Sequence, residues 1–269
     1  MGRCSRLLIC SLLLLLSACR PETRVEALSQ LAAHFEAYDV EGAFMLYDQQ
    51  ADVYRVYNAP RCEERFLPAS TFKILNALIA LETGVIADER EILPWDGVDR
   101  ALPEWNQDLD LQRAMRYSAI WFYQDLARRV GQERMRTYVE AAGYGNADVS
   151  GPEDAFWLEG ALRISPAEQI DFLRRLHAGT LPFSERSQRV VREILVVEET
   201  ETYRLSAKTG WVLRVEPQVG WYVGYVERGE EVYFFATNIE SAQPDERFGP
   251  AKVEISRAIL TELGILPLE

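Results

Sequence analysis

Residues 68–81 read PASTFKILNALIAL, and from Phe72 onward only Lys73 and Asn76 are polar. A helix that is apolar on all sides is normally buried, so this stretch predicts a core helix with a lysine inside it. A buried ammonium group is costly unless it is paired, loses its proton through a lowered pKa or is chemically modified. We therefore expect the fold to be organised around Lys73.

Ser70 precedes Lys73 by about one helical turn, so the hydroxyl and the amine are expected on the same face of the helix. Pro68 is typical of the position at which a chain enters a helix. A serine at a helix N-terminus beside an unprotonated amine is an activated nucleophile. Ser-x-x-Lys alone is a weak pattern, so its interpretation depends on the motifs that accompany it.

Lysine is rare in this chain. Of the 29 basic residues only Lys73, Lys208 and Lys252 are lysines, and the others are arginines. A guanidinium stays protonated in proteins, whereas a lysine amine can lose its proton or form a covalent adduct. All three lysines are therefore functional candidates, although a solvated helix position is an open alternative for Lys252.

Composition limits the class of function. The 269 residues suit one large domain or two interlocked halves, and the formal net charge of -13 argues against nucleic acid and favours a small-molecule substrate. The chain has only two histidines, His34 and His177, and no Cys-x-x-Cys pair, so no metal site is expected. The histidine count alone leaves a Ser-His-Asp triad open.

Residues 1–19 are interpreted as a lipoprotein-type signal peptide, which leaves 20–269 as the folded domain. Two arginines precede a short leucine-rich run that ends in Leu-Ser-Ala-Cys19. This ending resembles a lipoprotein box, in which Cys19 would be lipidated; an ordinary signal peptide cleaved nearby is the alternative. Because Arg20 follows instead of the aspartate of an inner-membrane signal, we expect a periplasmic protein anchored to the outer membrane.

The periodicity of apolar residues changes along the chain from helical to strand-like. Helices are predicted at 25–38, 120–142, 165–197 and 250–263, and strands at 42–47, 53–57, 202–208, 220–227 and 232–239. This order predicts an α+β fold, with an antiparallel sheet of about five strands flanked by the terminal helices. An all-helical half is inserted at about 66–198, and the reactive serine is expected where the two halves meet.

Three further motifs follow Ser70, namely Ser118-Ala119-Ile120, Tyr144-Gly145-Asn146 and Lys208-Thr209-Gly210. In this order and spacing they resemble those of the class D serine β-lactamases, the oxacillinases, and the resemblance covers essentially the whole mature chain. Ser-x-x-Lys paired with Lys-Thr-Gly also occurs in class A enzymes. The resemblance implies a penicillin-recognising serine transpeptidase-like fold. It also implies hydrolysis of the β-lactam ring of penicillin-type antibiotics, which would give β-lactam resistance.

The resemblance also implies a mechanism. Ser70 would form an acyl-enzyme, with Lys73 as the general base for acylation and deacylation after carboxylation by carbon dioxide or bicarbonate, and with no separate cofactor. Trp157 would donate its indole N–H to the carbamate, beside Ile120. Among the remaining roles, the backbone N–H groups of Ser70 and Trp211 would form the oxyanion hole, and Ser118 and Lys208 would pass a proton to the ring nitrogen.

The family pattern further implies substrate contacts at Tyr144, Asn146, Thr209, Gly210 and Lys252. At the last of these positions the family commonly has an arginine that binds the substrate carboxylate, and the nearby Arg247 is the alternative. Ile120 replaces the usual valine, which predicts either slower deacylation or a repacked pocket.

Three other functions remain open at this point. They are a β-lactam sensor domain that is acylated without turnover, a cell-wall transpeptidase or carboxypeptidase, and a catalytically silent lipoprotein. The nucleophile, the base and the Lys-Thr-Gly motif favour the enzyme. The sequence predicts neither the preferred β-lactam nor the oligomeric state.

Overall fold

The computed structural model describes residues 24–268, which form one mixed sheet with helices on both faces. The strands are β1 (Arg24–Ala27), β2 (Glu41–Asp48), β3 (Val53–Tyr57), β4 (Val196–Glu199), β5 (Arg204–Val212), β6 (Gln218–Arg228) and β7 (Glu231–Ser241). Their spatial order is β1-β3-β2-β7-β6-β5-β4. All neighbouring pairs are antiparallel except β1 and β3.

The terminal helices α1 and α10 lie on one side of this sheet, and the helices from the middle of the chain lie on the other. The helices are α1 (Ala32–Glu36), α2 (Ala59–Glu63), α3 (Lys73–Glu82), α4 (Leu111–Tyr117), α5 (Ile120–Val130), α6 (Gln132–Ala142), α7 (Phe156–Glu159), α8 (Pro166–His177), α9 (Glu185–Ile194) and α10 (Phe248–Glu262). Short 3₁₀ turns occur at Ser29–Leu31, Ala69–Phe72 and Pro103–Trp105. Helices α2 to α9 follow β3 and precede β4.

The sheet has two apolar faces because its central strands are buried on both sides. One face packs against the terminal helices, with Phe35 of α1 and Ile255 of α10 in the same apolar cluster. The other face packs against the helical half, with α8 lying across β2 and β7. Helix α3 is the centre of the helical half, and Ile74 to Leu81 are all buried, as its sequence predicts.

The α+β class and the transpeptidase-like architecture are confirmed, but the predicted sheet of about five strands is wrong. The two additional strands, β1 and β4, are short strands at the two edges of the sheet. β1 is almost entirely exposed, and β4 follows α9 so closely that the predicted helix 165–197 includes its start. A strand of four residues shows too few alternating apolar and polar positions to be distinguished, in the sequence, from the end of a neighbouring helix.

Helix α8 begins where the sequence predicts. The Ser165 hydroxyl accepts a hydrogen bond from the Glu168 N–H at 3.2 Å, and the Glu168 carboxylate accepts one from the Ser165 N–H at 2.9 Å. This capping box satisfies two N–H groups that a helix start otherwise leaves unpaired. Between residues 24 and 268, no helix is both long and apolar enough to cross a membrane. Cys19 and the predicted signal peptide lie outside the described residues.

Candidate active site

Ser70 lies in the 3₁₀ turn that leads into α3, at the junction between the sheet and the helical half. The preceding residue, Ala69, has a φ of +48°, and Ser118 on the opposite side of the amine has a φ of +56°. Non-glycine residues with positive φ are strained, and such strain is concentrated at functional sites. The turns that carry the two serines are therefore held in place by the surrounding packing and hydrogen bonds.

Lys73 is completely buried, and its amine is surrounded by neutral oxygen atoms. The Nζ atom lies 2.9 Å from Ser70 Oγ, 2.9 Å from Ser118 Oγ and 2.5 Å from the Ser118 carbonyl oxygen. Burial, together with the nearby charge of Lys208, holds the pKa of Lys73 well below its usual range. The neutral amine is therefore favoured, and a neutral amine can accept a hydrogen bond from the Ser70 hydroxyl.

Ser118 links the two buried lysines. It caps the C-terminus of α4 in a left-handed conformation, and this turns its hydroxyl toward Lys73 on one side and Lys208 on the other. Lys208 of β5 donates to Ser118 Oγ at 3.0 Å and to the Thr209 carbonyl at 3.1 Å. Burial, and then the charge of Lys252, lowers the pKa of Lys208 to about 7. Hydrogen bonds thus connect Ser70, Lys73, Ser118 and Lys208 in one chain.

Trp157 lies in α7 with no exposed surface, and its ring stacks on Phe72 with 5.3 Å between centroids. Its indole N–H is buried and has no acceptor among the described residues. Buried indole N–H groups normally find a partner. The site therefore contains a hydrogen-bond donor without an acceptor beside the residue that precedes Lys73. This fits a carboxylate on the lysine amine.

Above these residues is a cleft of about 560 Å³ with largely apolar walls. Its polar lining includes Ser70, Ser118 and Thr209, while Ile120 at the start of α5 contributes to the apolar wall. The remaining lining residues are Ala101, Leu102, Trp105, Tyr117, Gly210, Trp211, Leu213 and Lys252. The cleft is large enough for a small bicyclic ligand, and its reactive groups lie together on one side.

Strand β5 passes close to the Ser70 turn because Gly210 has no side chain. A Cβ atom at Gly210 would lie 3.0 Å from the Pro68 carbonyl oxygen and 3.2 Å from Thr71 Cγ2. The next residue, Trp211, has its indole N–H bonded to Gln218 Oε1 at 2.9 Å. The close approach brings the Trp211 backbone beside the nucleophile turn.

Lys252 lies in the cleft, whereas Arg247 does not. Lys252 is 5% exposed, its amine donates to the Gly249 carbonyl, and its Nζ lies 4.8 Å from the centre of the Trp211 ring. Burial lowers the pKa of Lys252 to about 8. Arg247 lies on the surface and pairs with Asp245 at 2.8 Å. Of the two candidates for a substrate carboxylate, only Lys252 is therefore in position.

Tyr144 and Asn146 do not line the cleft, and their predicted contact with substrate is corrected. Tyr144 is fully buried behind the nucleophile turn, with its ring against the edges of Phe72 and Phe172. The Asn146 amide donates to the Ala161 carbonyl at 2.9 Å, and its oxygen accepts from the Arg163 N–H at 2.9 Å. Both residues of this motif pack or bond within the scaffold and do not line the cleft.

Sequence reasoning missed Gln169 of α8, which is fully buried and donates to Thr71 Oγ1 at 2.7 Å. The sequence does indicate this residue, because Gln169 is a polar residue beside Ile170 on the apolar face of α8. A polar side chain in such a position needs a hydrogen-bond partner.

Comparison with known proteins agrees with this geometry. A family model described as the penicillin-binding protein transpeptidase domain matches residues 33–261. β-Lactamase OXA-48 of Klebsiella pneumoniae is 42% identical over 235 residues, which cover 87% of this chain and 88% of that protein. The crystal structure of the class D β-lactamase YbXI from Nostoc is 46% identical with a TM-score of 0.85, covering 88% of this chain and 99% of that one.

A penicillin receptor is similarly close. The C-terminal domain of BlaR from Bacillus licheniformis is 35% identical, with a TM-score of 0.86. The match covers 92% of this chain and 100% of that domain. The chain spans 41% of the length of the regulatory protein BlaR1 from the same organism.

The mixed sheet, the contact between Ser70 and the buried Lys73, and the matching family model define a penicillin-binding transpeptidase domain. Within that group, the chain belongs to the class D serine β-lactamases, a family of hydrolases. The family membership predicted from the four motifs is confirmed.

Proposed function

We propose that this protein hydrolyses the β-lactam ring of penicillin-type antibiotics through an acyl-enzyme on Ser70. The observation that carries the proposal is the 2.9 Å contact between Ser70 Oγ and the amine of Lys73, which is completely buried. An amine held neutral by burial can activate a neighbouring hydroxyl. The membership in class D and the names of the relatives support the same reaction.

The base is proposed to be Lys73 in carboxylated form, because the site fits such a group. Carboxylation needs a neutral amine, and burial favours that state. The unpaired indole N–H of Trp157 supplies a donor to hold the new charge, and Ile120 and Leu158 keep water away. Carbon dioxide or bicarbonate would thus provide Lys73 with a carboxylate base for both halves of the reaction.

The remaining residues divide the other tasks. The backbone N–H groups of Ser70 and Trp211 are proposed as the oxyanion hole, which stabilises charge that exists only along the reaction path. Ser118, in contact with Lys208, can deliver a proton to the ring nitrogen as the C–N bond breaks. Binding of the substrate carboxylate is proposed for Thr209 and Lys252, which line the cleft beside Lys208.

The cellular setting is proposed from the sequence alone. A lipid on Cys19 would anchor the enzyme to the periplasmic side of the outer membrane, where β-lactams pass on their way to the cell wall. Turnover there would protect the cell, so the proposed biological role is β-lactam resistance.

A β-lactam sensor is the second candidate, and the close likeness to the BlaR receptor domain favours it. Both functions begin with acylation of Ser70, and they differ in whether the ester is hydrolysed. The lifetime of the acyl-enzyme therefore decides between them.

The test is hydrolysis of a chromogenic cephalosporin with and without added bicarbonate, at low pH. We expect bicarbonate to stimulate turnover, and we expect Lys73→Ala to abolish the stimulation. Mass spectrometry after mixing with a penicillin should show a Ser70 adduct that disappears within seconds to minutes. A permanent adduct would support the sensor, and the absence of both adduct and turnover would refute the proposed function.

A further inference from the structure

We propose that Gln169 is a positioning residue for acylation, acting through Thr71 and Pro68 to set the spacing between the Ser70 turn and strand β5. Gln169 belongs to α8 and is not among the described residues that line the cleft. The inference rests on the proposed function, since it concerns the acylation of Ser70.

A directed chain of hydrogen bonds connects Gln169 to the nucleophile turn. The Thr71 hydroxyl donates to the Pro68 carbonyl at 2.8 Å, so its oxygen is left to accept. The Gln169 amide donates to that oxygen at 2.7 Å. Thr71 and Gln169 each have no exposed surface, so no water competes for these bonds. In the low dielectric of the protein interior, these two hydrogen bonds are stronger than the same bonds in water.

Tyr144 completes the chain from the other side. Its hydroxyl lies 3.4 Å from Thr71 Oγ1, and the amide oxygen of Gln169 has no hydrogen-bond partner among the described residues. Burial raises the pKa of the Tyr144 hydroxyl, which therefore stays protonated and remains a donor. Tyr144 and Gln169 thus both point hydrogen bonds toward the nucleophile turn.

The end of the chain is the Pro68 carbonyl, where the turn meets β5. This oxygen also accepts the Thr71 N–H at 3.1 Å, and a Cβ at Gly210 would lie only 3.0 Å from it. The indole of Trp221 donates to the neighbouring Leu67 carbonyl at 2.9 Å, which ties the turn to β6. A shift of Pro68 therefore changes the distance between the Ser70 and Trp211 backbones.

The strained residue Ala69 lies between Pro68 and Ser70, with its φ of +48°. A strained backbone relaxes when the contacts that hold it are removed. Loss of the Gln169 bond frees the Thr71 hydroxyl and the Pro68 carbonyl to move. The first consequence is a poorer oxyanion hole, while the Lys73 environment is left intact.

The test compares Gln169→Leu with Gln188→Leu, a matched control. Gln188 of α9 is 1% exposed and donates to the Phe183 carbonyl at 2.8 Å, outside the cleft. Both changes remove a buried amide, and both are expected to lower stability. Only Gln169→Leu should slow acylation by a penicillin, by about tenfold, which is a fraction of the effect of deleting one oxyanion-hole donor.

Infrared spectroscopy of the acyl-enzyme gives a readout that a merely structural role would not move. The ester carbonyl band reports its hydrogen bonds, so Gln169→Leu should shift it to higher wavenumber and Gln188→Leu should not. The carbamate signal of Lys73, measured by NMR with ¹³C-bicarbonate, should be unchanged in both variants.

Thr71→Ser and Thr71→Val provide a second pair if Gln169→Leu fails to fold. Thr71→Ser keeps the hydroxyl and should keep the acylation rate and the band position, whereas Thr71→Val should reproduce the defect. Wild-type acylation rates in Gln169→Leu or Thr71→Val, or an unshifted band, would overturn the inference and leave the proposed function standing. Failure of the wild-type protein to acylate would overturn both.

Discussion

Replacing Trp157 by phenylalanine tests the role of its buried indole N–H, which has no acceptor among the described residues. The substitution keeps an aromatic ring stacked on Phe72, where the centroids are 5.3 Å apart, and removes only the N–H and part of the ring. A hydrogen bond to a charged group contributes about 1.5–3 kcal/mol. If the donor holds a carboxylated Lys73, its loss should therefore weaken carboxylation by about 10- to 150-fold.

The assay is a bicarbonate titration of cephalosporin hydrolysis at constant pH. The bicarbonate concentration for half-maximal activity should rise by the same factor in Trp157→Phe, with activity restored at saturation. Trp95→Phe is the control, because the Trp95 indole already donates to the Val98 carbonyl at 3.1 Å. An unchanged half-maximal concentration in Trp157→Phe would refute the assignment of this N–H to the lysine carboxylate.

Three further predictions concern the cleft. Because the pKa of Lys252 is about 8, raising the pH from 7 to 9 removes most of its charge, and KM for a penicillin should rise about tenfold. The Lys252→Arg variant stays charged over this range and should show a smaller rise in KM. Parallel plots of KM against pH for the two proteins would contradict the assignment of Lys252 to the substrate carboxylate. Ile120→Val removes a methylene from the cleft wall and should shorten the lifetime of the acyl-enzyme about fivefold in rapid-quench measurements, whereas an unchanged lifetime would exclude steric hindrance by Ile120. Gly210→Ala places a Cβ 3.0 Å from the Pro68 carbonyl and should slow acylation by about 10- to 100-fold in stopped-flow experiments, and a wild-type rate would show that the close approach of β5 is dispensable.

The centre of the fold could be predicted because one physical conflict marks it. A lysine in an otherwise apolar helix has few solutions, and helical spacing places Ser70 beside it. The structure brings the two side chains to 2.9 Å. The scarcity of lysine pointed to the other members of the site, and all three lysines are buried around the cleft.

The features that were missed depend on long-range packing. Tyr144 belongs to a recognisable motif, but only the fold shows that its ring packs against Phe172 and does not line the cleft. The choice between Lys252 and Arg247 likewise needed the position of α10, which begins just after Arg247. The edge strands β1 and β4 are extended mainly because they pair with β3 and β5, and their own short sequences contribute less.

The clustering of every lysine of the chain at or beside one cleft has a practical consequence for spectroscopy. A sample grown with lysine labelled with ¹⁵N at Nζ would give only three side-chain nitrogen resonances, from Lys73, Lys208 and Lys252. Each nucleus would report directly on protonation, adduct formation or ligand contact at the cleft, with no background from surface residues. Amine-directed probes would likewise find no other ε-amino group in the chain to modify.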